Sequence, residues 1–264
     1  MTASLVFDQA VSYYDQTRID PAWVMDAVAE SIMREAHLTR ASKVLEIGIG
    51  TGRIALPLHA REMPVFGIDL SLAMMGELQK KIAGGNARVA FGQADANHLP
   101  FADATFEAAY AVHVYHLVAN WEYALRQALR VLKPGGTLLI SYHYRGADSP
   151  NRRLRQKLSE LIEPYGINTR RPGAQNSEEL KTELEKLADD LKIVHIATWK
   201  ESSTLAEILD QLGARIFSET WAIPPDLMAR IMPSLRAWAE QEVGDPSQVL
   251  DEDSQFNWLV ARKK

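Results

Sequence analysis

The chain has 264 residues, of which 47% are hydrophobic and 24% are charged, and its formal net charge is −5 at pH 7. This length can bury a substantial core, and the composition is that of a globular protein rather than a disordered or fibrous one. The absence of cysteine excludes disulfides, cysteine nucleophiles and thiolate metal sites, and the acidic balance argues against a surface that grips nucleic acid or an anionic membrane.

The N-terminal segment gives no targeting signal. Its first 18 residues contain no basic region followed by an apolar core, so we expect no signal peptide. No apolar run approaches the length that crosses a bilayer. We therefore expect a cytoplasmic protein with no membrane partner.

Short apolar segments alternate with amphipathic segments through the first 145 residues. Residues 21–38 place apolar side chains at helical spacing, with Asp20 as the N-cap and Pro21 in the first turn. Strands are predicted at 43–50, 64–71, 87–95, 105–116 and 137–144. Helices are predicted between the first three strands, at 52–62 and 71–84, and at 120–132, before the turn that leads to the fifth strand. This alternation predicts a parallel sheet covered by helices on both faces.

The pattern changes after about residue 145. Helices are predicted at 151–166, 176–193, 204–213 and 224–244, the third with a capping box and the last bent near Pro233. Residues 193–199 and 255–264 read as strands. We interpret the chain as one domain, 1–264, with a lid and first helix at 1–40, a core at 41–145, a helical insert at 146–253 and a terminal strand at 254–264.

A glycine-rich turn follows the first strand. Gly48, Gly50 and Gly52 are each separated by one residue. A phosphate-binding P-loop needs a Lys-Ser/Thr pair that is absent here, and a dinucleotide fingerprint would need glycine where Arg53 stands. The remaining pattern, Glu46-x-Gly48-x-Gly50-x-Gly52, fits either tight packing or the close approach of another ligand to the backbone.

Three further motifs follow in order. Asp69 ends the second strand, where an acidic side chain can accept ribose hydroxyls or cap the next helix. The string "GQADANHLPF" occupies residues 92–101, and a helix, the turn "LKPGG" and a strand occupy residues 120–144. In this turn Pro134 ends the helix and the paired glycines allow a reversal with positive φ.

These ordered motifs resemble those of the class I S-adenosylmethionine-dependent methyltransferases, over roughly residues 7–144. The resemblance implies an α/β fold with a Rossmann-like, doubly wound, seven-stranded and mostly parallel sheet, an N-terminal lid helix and a helical insert before the last strand. It implies S-adenosyl-L-methionine as the cofactor and no metal ion.

The resemblance also implies which residues bind the cofactor. The glycine turn would pass beneath its methionine and ribose, Asp69 would accept both ribose hydroxyls, and Asp95 with Ala96 would meet the adenine. The segment "SYYDQTR" resembles a lid element, although it also fits a solvated helix. The complete set is Tyr14, Arg18, Glu46, Gly48, Gly50, Gly52, Asp69, Leu70, Met74, Asp95, Ala96, Val112 and His113.

Three histidines, His113, His116 and His143, lie at the predicted carboxyl ends of strands, where open α/β sheets bind ligands. A general base is needed only if the acceptor is protonated, and histidine is suited to that role near neutral pH. His143, between Tyr142 and Tyr144, is the first choice. The alternatives are that these side chains order a loop, line the cofactor or form a pocket wall.

The predicted insert contains Trp199, Trp221 and Trp238, which could clamp a substrate or pack in a core. Its basic residues, at 152, 153, 155, 157, 170 and 171, could meet an acidic acceptor or form a solvated face. We expect a methyltransferase that acts on O or N of a small molecule, with nucleic acid disfavoured. The alternatives are a cofactor-binding regulatory or partner protein without transferase activity, an RNA methyltransferase and a nicotinamide-dependent oxidoreductase.

Overall fold

The computed structural model describes residues 3–18, 20–83, 85, 88–141 and 149–264. The predicted site residue His143, its neighbours Tyr142 and Tyr144, and the end of the predicted fifth strand lie outside the described residues. Among the residues that are described, no helix combines the length and the apolar character needed to cross a membrane.

Seven strands and eight α-helices are present among the described residues. The strands are β1 (Val44–Ile47), β2 (Val65–Asp69), β3 (Val89–Gln93), β4 (Phe106–Val112), β5 (Leu132–Ser141), β6 (Asp189–Thr204) and β7 (Val249–Arg262). The helices are α1 (Ala22–Glu35), α2 (Ala55–Ala60), α3 (Leu72–Ile82), α4 (Trp121–Val131), α5 (Pro150–Ile162), α6 (Ser177–Leu187), α7 (Leu205–Gly213) and α8 (Pro225–Glu242).

The strands form one sheet in the order β3-β2-β1-β4-β5-β7-β6. Strands β1 to β5 pair in parallel, and β7 pairs antiparallel with β5. The strand order reverses at β1 and β4, and open α/β sheets bind ligands at such a point, beyond the carboxyl ends of the strands. The prediction of a doubly wound, seven-stranded and mostly parallel sheet is confirmed.

The described residues fall into two compact units. The first comprises those of Met1–His143, Arg171–Ala197 and Phe256–Lys264, and the second comprises those of Tyr144–Arg170 and Thr198–Gln255. Each unit has its own apolar core, one around the buried β-strands and α4, the other around α5, α7 and α8. Residues 171–197, which the sequence analysis places in the insert, therefore belong to the core unit.

Local sequence signals place several helix starts correctly. The side chains of Ser71, Asn176 and Thr204 accept the capping hydrogen bonds at α3, α6 and α7, and Thr204 forms the predicted capping box with Glu207. The structure differs from the sequence predictions at several places. Helix α6 ends at Leu187 and β6 begins at Asp189, inside the helix predicted at 176–193, and the residues "LKPGG" belong to β5 instead of forming a turn before it. Pro21 rather than Asp20 precedes α1, and the predicted lid helix is a pair of short 3₁₀ turns, Asp8–Ala10 and Asp15–Thr17.

Candidate functional site

The glycine turn leads from β1 into α2, and all three of its glycines have positive φ. A Cβ on Gly48 would lie 2.4 Å from a methyl carbon of Val114, and one on Gly52 would lie 2.4 Å from a methyl carbon of Leu78 in α3. These two glycines are thus required by packing inside the protein. A Cβ on Gly50 would instead have the Met74 methyl carbon at 3.6 Å and Asp69 Oδ2 at 3.9 Å. Gly50 is therefore the one of these three glycines where an added Cβ would meet only ordinary van der Waals contacts.

Asp69, the last residue of β2, has a carboxylate whose orientation is fixed by the backbone. Its Oδ2 accepts the Gly50 N–H at 2.9 Å, and its Oδ1 accepts the Ser71 N–H at 2.8 Å. Burial raises the pKa of Asp69, and these backbone hydrogen bonds oppose that rise. Because an ionised carboxylate can accept about four hydrogen bonds, roughly two positions remain for a ligand. A diol beside Gly50 would match them.

Glu46 lies within β1, buried beneath the glycine turn. Its Oε2 accepts a hydrogen bond from the Tyr110 hydroxyl at 2.8 Å, and both side chains are almost fully buried. Burial raises the pKa of Glu46 to about 8, so the group is largely protonated at neutral pH. The structure therefore gives Glu46 a role inside the sheet, and contact with the cofactor stays a prediction.

An N-terminal strap, consisting of residues 4–18 and 20, contacts the loops at the carboxyl ends of the strands. It is held at the loop after β4 by hydrogen bonds from the Leu5 N–H to the Leu117 carbonyl and from the Ala119 N–H to Ser4 Oγ. Three aspartates hold the rest of the strap. Asp8 accepts a hydrogen bond from the Ser71 hydroxyl at 2.5 Å. Asp15 accepts one from the Thr51 hydroxyl at 2.6 Å and forms an ion pair with Lys81 at 2.7 Å, and Asp20 forms an ion pair with Arg53.

The two predicted lid residues lie on this strap. Tyr14 is half-buried and makes an edge contact with Phe7, with 6.0 Å between ring centroids. The Arg18 guanidinium lies 5.7 Å from the centroid of the Tyr14 ring and donates to the Thr17 carbonyl at 2.9 Å. The structure brings Tyr14 and Arg18 together, as contact with one end of the same ligand would require.

The loop after β3 lies next to Asp69. The Ala94 N–H donates to the Asp69 carbonyl at 3.1 Å, and the Gln93 side chain donates to the Leu70 carbonyl at 2.8 Å. Ala96 is buried, while the Asp95 side chain is partly exposed. Leu70 follows Asp69 after β2, and Met74 lies in the first turn of α3, so the predicted ribose and adenine residues occupy adjoining segments.

The loop after Val112, the last residue of β4, carries the two described candidate bases. His113 has a positive φ and donates its N–H to the Ser141 carbonyl at 3.2 Å. His116 is buried, and its carbonyl accepts the Gly173 N–H at 3.1 Å. A Cβ on Gly173 would approach the Tyr115 carbonyl to 2.0 Å, so close backbone packing fixes this loop.

Basic and aromatic side chains of the second unit contact one another. Arg153 and Lys157 lie 5.9 and 5.8 Å from the centroid of the Trp238 ring, and Arg155 lies 4.1 Å from that of Phe217 and pairs with Glu219. These contacts favour the structural interpretation of the basic residues over a nucleic-acid surface. In the described ranges no group of three His, Asp or Glu side chains is placed to hold a metal ion.

Sequence reasoning missed the anchors of the strap. Asp8, Asp15 and Asp20 contact residues 63, 36 and 33 positions away along the chain. The sequence offers one signal for them, since these aspartates recur at short intervals within the first 20 residues. It also missed Tyr110 as the partner of Glu46.

Comparison with known proteins identifies the fold and the motifs. A family profile described as "Methyltransferase domain" matches residues 45–140. A ubiquinone/menaquinone biosynthesis C-methyltransferase from Syntrophotalea carbinolica is 34% identical over 143 residues, which are 51% of this chain and 58% of that protein. A phosphatidylethanolamine N-methyltransferase from Cereibacter sphaeroides is 31% identical over 144 residues, covering 53% of this chain and 70% of that protein.

A solved structure shares this fold. The YcgJ protein from Bacillus subtilis superposes with a TM-score of 0.60 at 18% identity, over 89% of this chain and 97% of that one. The structural match shows the fold, and the profile match together with the sequence relatives shows the family of this chain. The chain belongs to the class I S-adenosylmethionine-dependent methyltransferases.

Proposed function

We propose that this protein transfers a methyl group from S-adenosylmethionine to O or N of a small-molecule acceptor. The observation that carries the proposal is the Asp69 carboxylate, which Gly50 and Ser71 orient by backbone hydrogen bonds of 2.9 and 2.8 Å. An added Cβ on Gly50 would have no atom closer than the Met74 methyl carbon at 3.6 Å, so we take the ribose to approach that carboxylate beside Gly50. A phosphate would meet a negative charge there, so the site favours a nucleoside that carries no phosphate.

The cofactor would lie along the adjoining segments described above. Asp69 would hold the ribose, Asp95 and Ala96 the adenine, and the strap, through Tyr14 and Arg18, the methionine end. S-adenosylmethionine supplies an electrophilic methyl group on a sulfonium. The residues of the chain contribute alignment of the acceptor and exclusion of water from the reacting atoms.

The acceptor is proposed to lie at the loop after β4. His113 and His116 on this loop could take a proton from a hydroxyl or ammonium group, and His143 stays a prediction outside the described residues. The named relatives act in quinone biosynthesis and on phosphatidylethanolamine, which supports a small-molecule or lipid-like acceptor. A cytoplasmic location stays a prediction too.

Calorimetry followed by a turnover screen tests this proposal. We expect S-adenosylmethionine and its demethylated product to bind and NAD to remain unbound. Methyl-labelled cofactor should then label a fraction of a metabolite and lipid pool but leave RNA unlabelled. Absence of binding by either sulfur nucleoside would refute the cofactor assignment. Tight binding without labelling in any pool would favour the non-catalytic regulatory alternative, and labelled RNA would favour an RNA methyltransferase.

The strap yields a separate prediction. Asp15→Asn removes the ion pair with Lys81, so the strap should open more often, and we expect cofactor dissociation to accelerate about fivefold, as loss of roughly 1 kcal/mol of closure energy implies. Stopped-flow measurement of cofactor release checks this. Glu77→Gln is the matched control, because Glu77 pairs with Lys80 on the exposed face of α3. Equal release rates in the Asp15→Asn and control variants would contradict the prediction.

A further inference from the structure

In the turn after β3, Asn97 donates hydrogen bonds to the Asp95 carboxylate. Oδ1 of Asp95 accepts two hydrogen bonds from Asn97, one from its backbone N–H at 2.9 Å and one from its side-chain amide at 3.1 Å. The Asp95 carbonyl also accepts the His98 N–H at 2.8 Å, which closes the turn. One oxygen of the Asp95 carboxylate is thus engaged within its own turn.

The other oxygen, Oδ2, is left for a ligand. His98 Nδ1 lies 3.9 Å from it, which is beyond hydrogen-bond distance, and the His98 side chain is 79% exposed. Asp95 is therefore held with Oδ1 engaged in its own turn and Oδ2 placed to accept a hydrogen bond from a ligand. The 6-amino group of adenine is a donor, whereas the 6-oxo group of hypoxanthine is an acceptor that a carboxylate would repel.

Asn97 itself is held in a single amide orientation. Its side chain is buried, and its Oδ1 has no hydrogen-bond partner among the residues that the structure describes. Reversing the amide would place this oxygen against Asp95 Oδ1, which is less favourable than leaving it unpaired. A buried amide with an unsatisfied oxygen is destabilising, so a purely structural turn would be better served by an apolar side chain.

We propose that Asn97 is a positioning residue for base recognition: it locks the Asp95 rotamer and so makes the site selective for 6-aminopurine nucleosides over 6-oxopurine nucleosides. The inference rests on the proposed function, because it takes the base of the cofactor to lie at Asp95. Asn97 does not touch the cofactor in this proposal and acts only through Asp95.

Calorimetry with two nucleosides tests the inference, using S-adenosylhomocysteine and its deaminated counterpart, S-inosylhomocysteine. The native protein should prefer the adenine compound. Asn97→Ala should reduce that preference about tenfold, chiefly by weakening the binding of the adenine compound, which is the effect of one hydrogen bond to a charged group. Asn97→Asp, which keeps the size of the side chain but places a carboxylate against Asp95, should reduce it as well.

The controls separate this role from a general loss of structure. Asp95→Ala should abolish the preference for the adenine compound, and this loss is the largest reduction that an Asn97 variant could cause. His98→Ala, in the same turn, should leave the preference within about twofold of the native value. Equal weakening of both nucleosides in the Asn97 variants, or an unchanged preference, would overturn the inference. Absence of binding by the native protein would instead refute the proposed function, so the two failures are distinguishable.

Discussion

Asp69→Ala should weaken the binding of S-adenosylmethionine roughly a hundredfold or more, since it removes two hydrogen bonds to a charged acceptor, each worth about 1.5–3 kcal/mol. The native carboxylate cannot turn away from the ligand, because Gly50 and Ser71 hold one oxygen each. Titration calorimetry with the cofactor measures the effect directly. Affinity within threefold of the native value would show that the ribose lies elsewhere.

Two controls accompany this measurement. Asp69→Asn keeps the shape and one acceptor oxygen, so it should bind more tightly than Asp69→Ala and more weakly than the native protein. Asp103→Asn changes an exposed carboxylate that pairs with Arg130, and its cofactor affinity should equal the native one. Thermal unfolding of all three variants without cofactor separates loss of the ribose contact from loosening of the glycine turn.

Glu46→Gln should make the protein less sensitive to alkaline pH. Burial raises the pKa of Glu46 to about 8 from an ordinary 4.5, so between these values the folded protein retains a proton that the unfolded chain loses. The contribution of Glu46 to the free energy of unfolding is therefore full below pH 4.5 and is lost as the pH rises to about 8. Each tenfold difference in proton affinity is worth about 1.4 kcal/mol, so the loss amounts to several kcal/mol.

Denaturant unfolding of the native and Glu46→Gln proteins at about pH 5 and about pH 9 checks this prediction. The two proteins should be similarly stable at the lower pH, and the variant should be more stable by about 4 kcal/mol at the higher one. Tyr110→Phe is the informative comparison. It removes the hydroxyl that donates a hydrogen bond to Glu46, so it should destabilise the protein by about 1–3 kcal/mol at both pH values. A stability difference between native and Glu46→Gln that does not change with pH would contradict the expectation.

Much of the core could be predicted because its signals are local. The alternation of apolar and amphipathic segments gives β1 to β5 and their helices, and side-chain caps such as Ser71, Asn176 and Thr204 lie within three residues of the N–H groups they bind. The glycine spacing and Asp69 likewise sit at fixed short distances from strand ends. Each of these features is decided by a few neighbouring residues, so the sequence alone contains it.

The remaining features depend on contacts between distant residues. The sequence motif assigns all three glycines to the ligand, but only the packing of Val114 and Leu78 separates Gly48 and Gly52 from Gly50. The pairing of Asp8 with Ser71 and of Glu46 with Tyr110 joins residues 63 and 64 positions apart. No periodicity predicts such pairs, and none predicts that residues 171–197 pack with the core unit.

The place of β7 in the sheet constrains how the protein is made. This strand is the last of the described elements to leave the ribosome, yet it lies between β5 and β6. In the nascent chain, one edge of β5 therefore stays unpaired until the roughly one hundred residues between β5 and β7 have been translated. Strand edges of this kind recruit other chains, so a nascent-chain chaperone would be most useful between the synthesis of β5 and that of Phe256–Lys264.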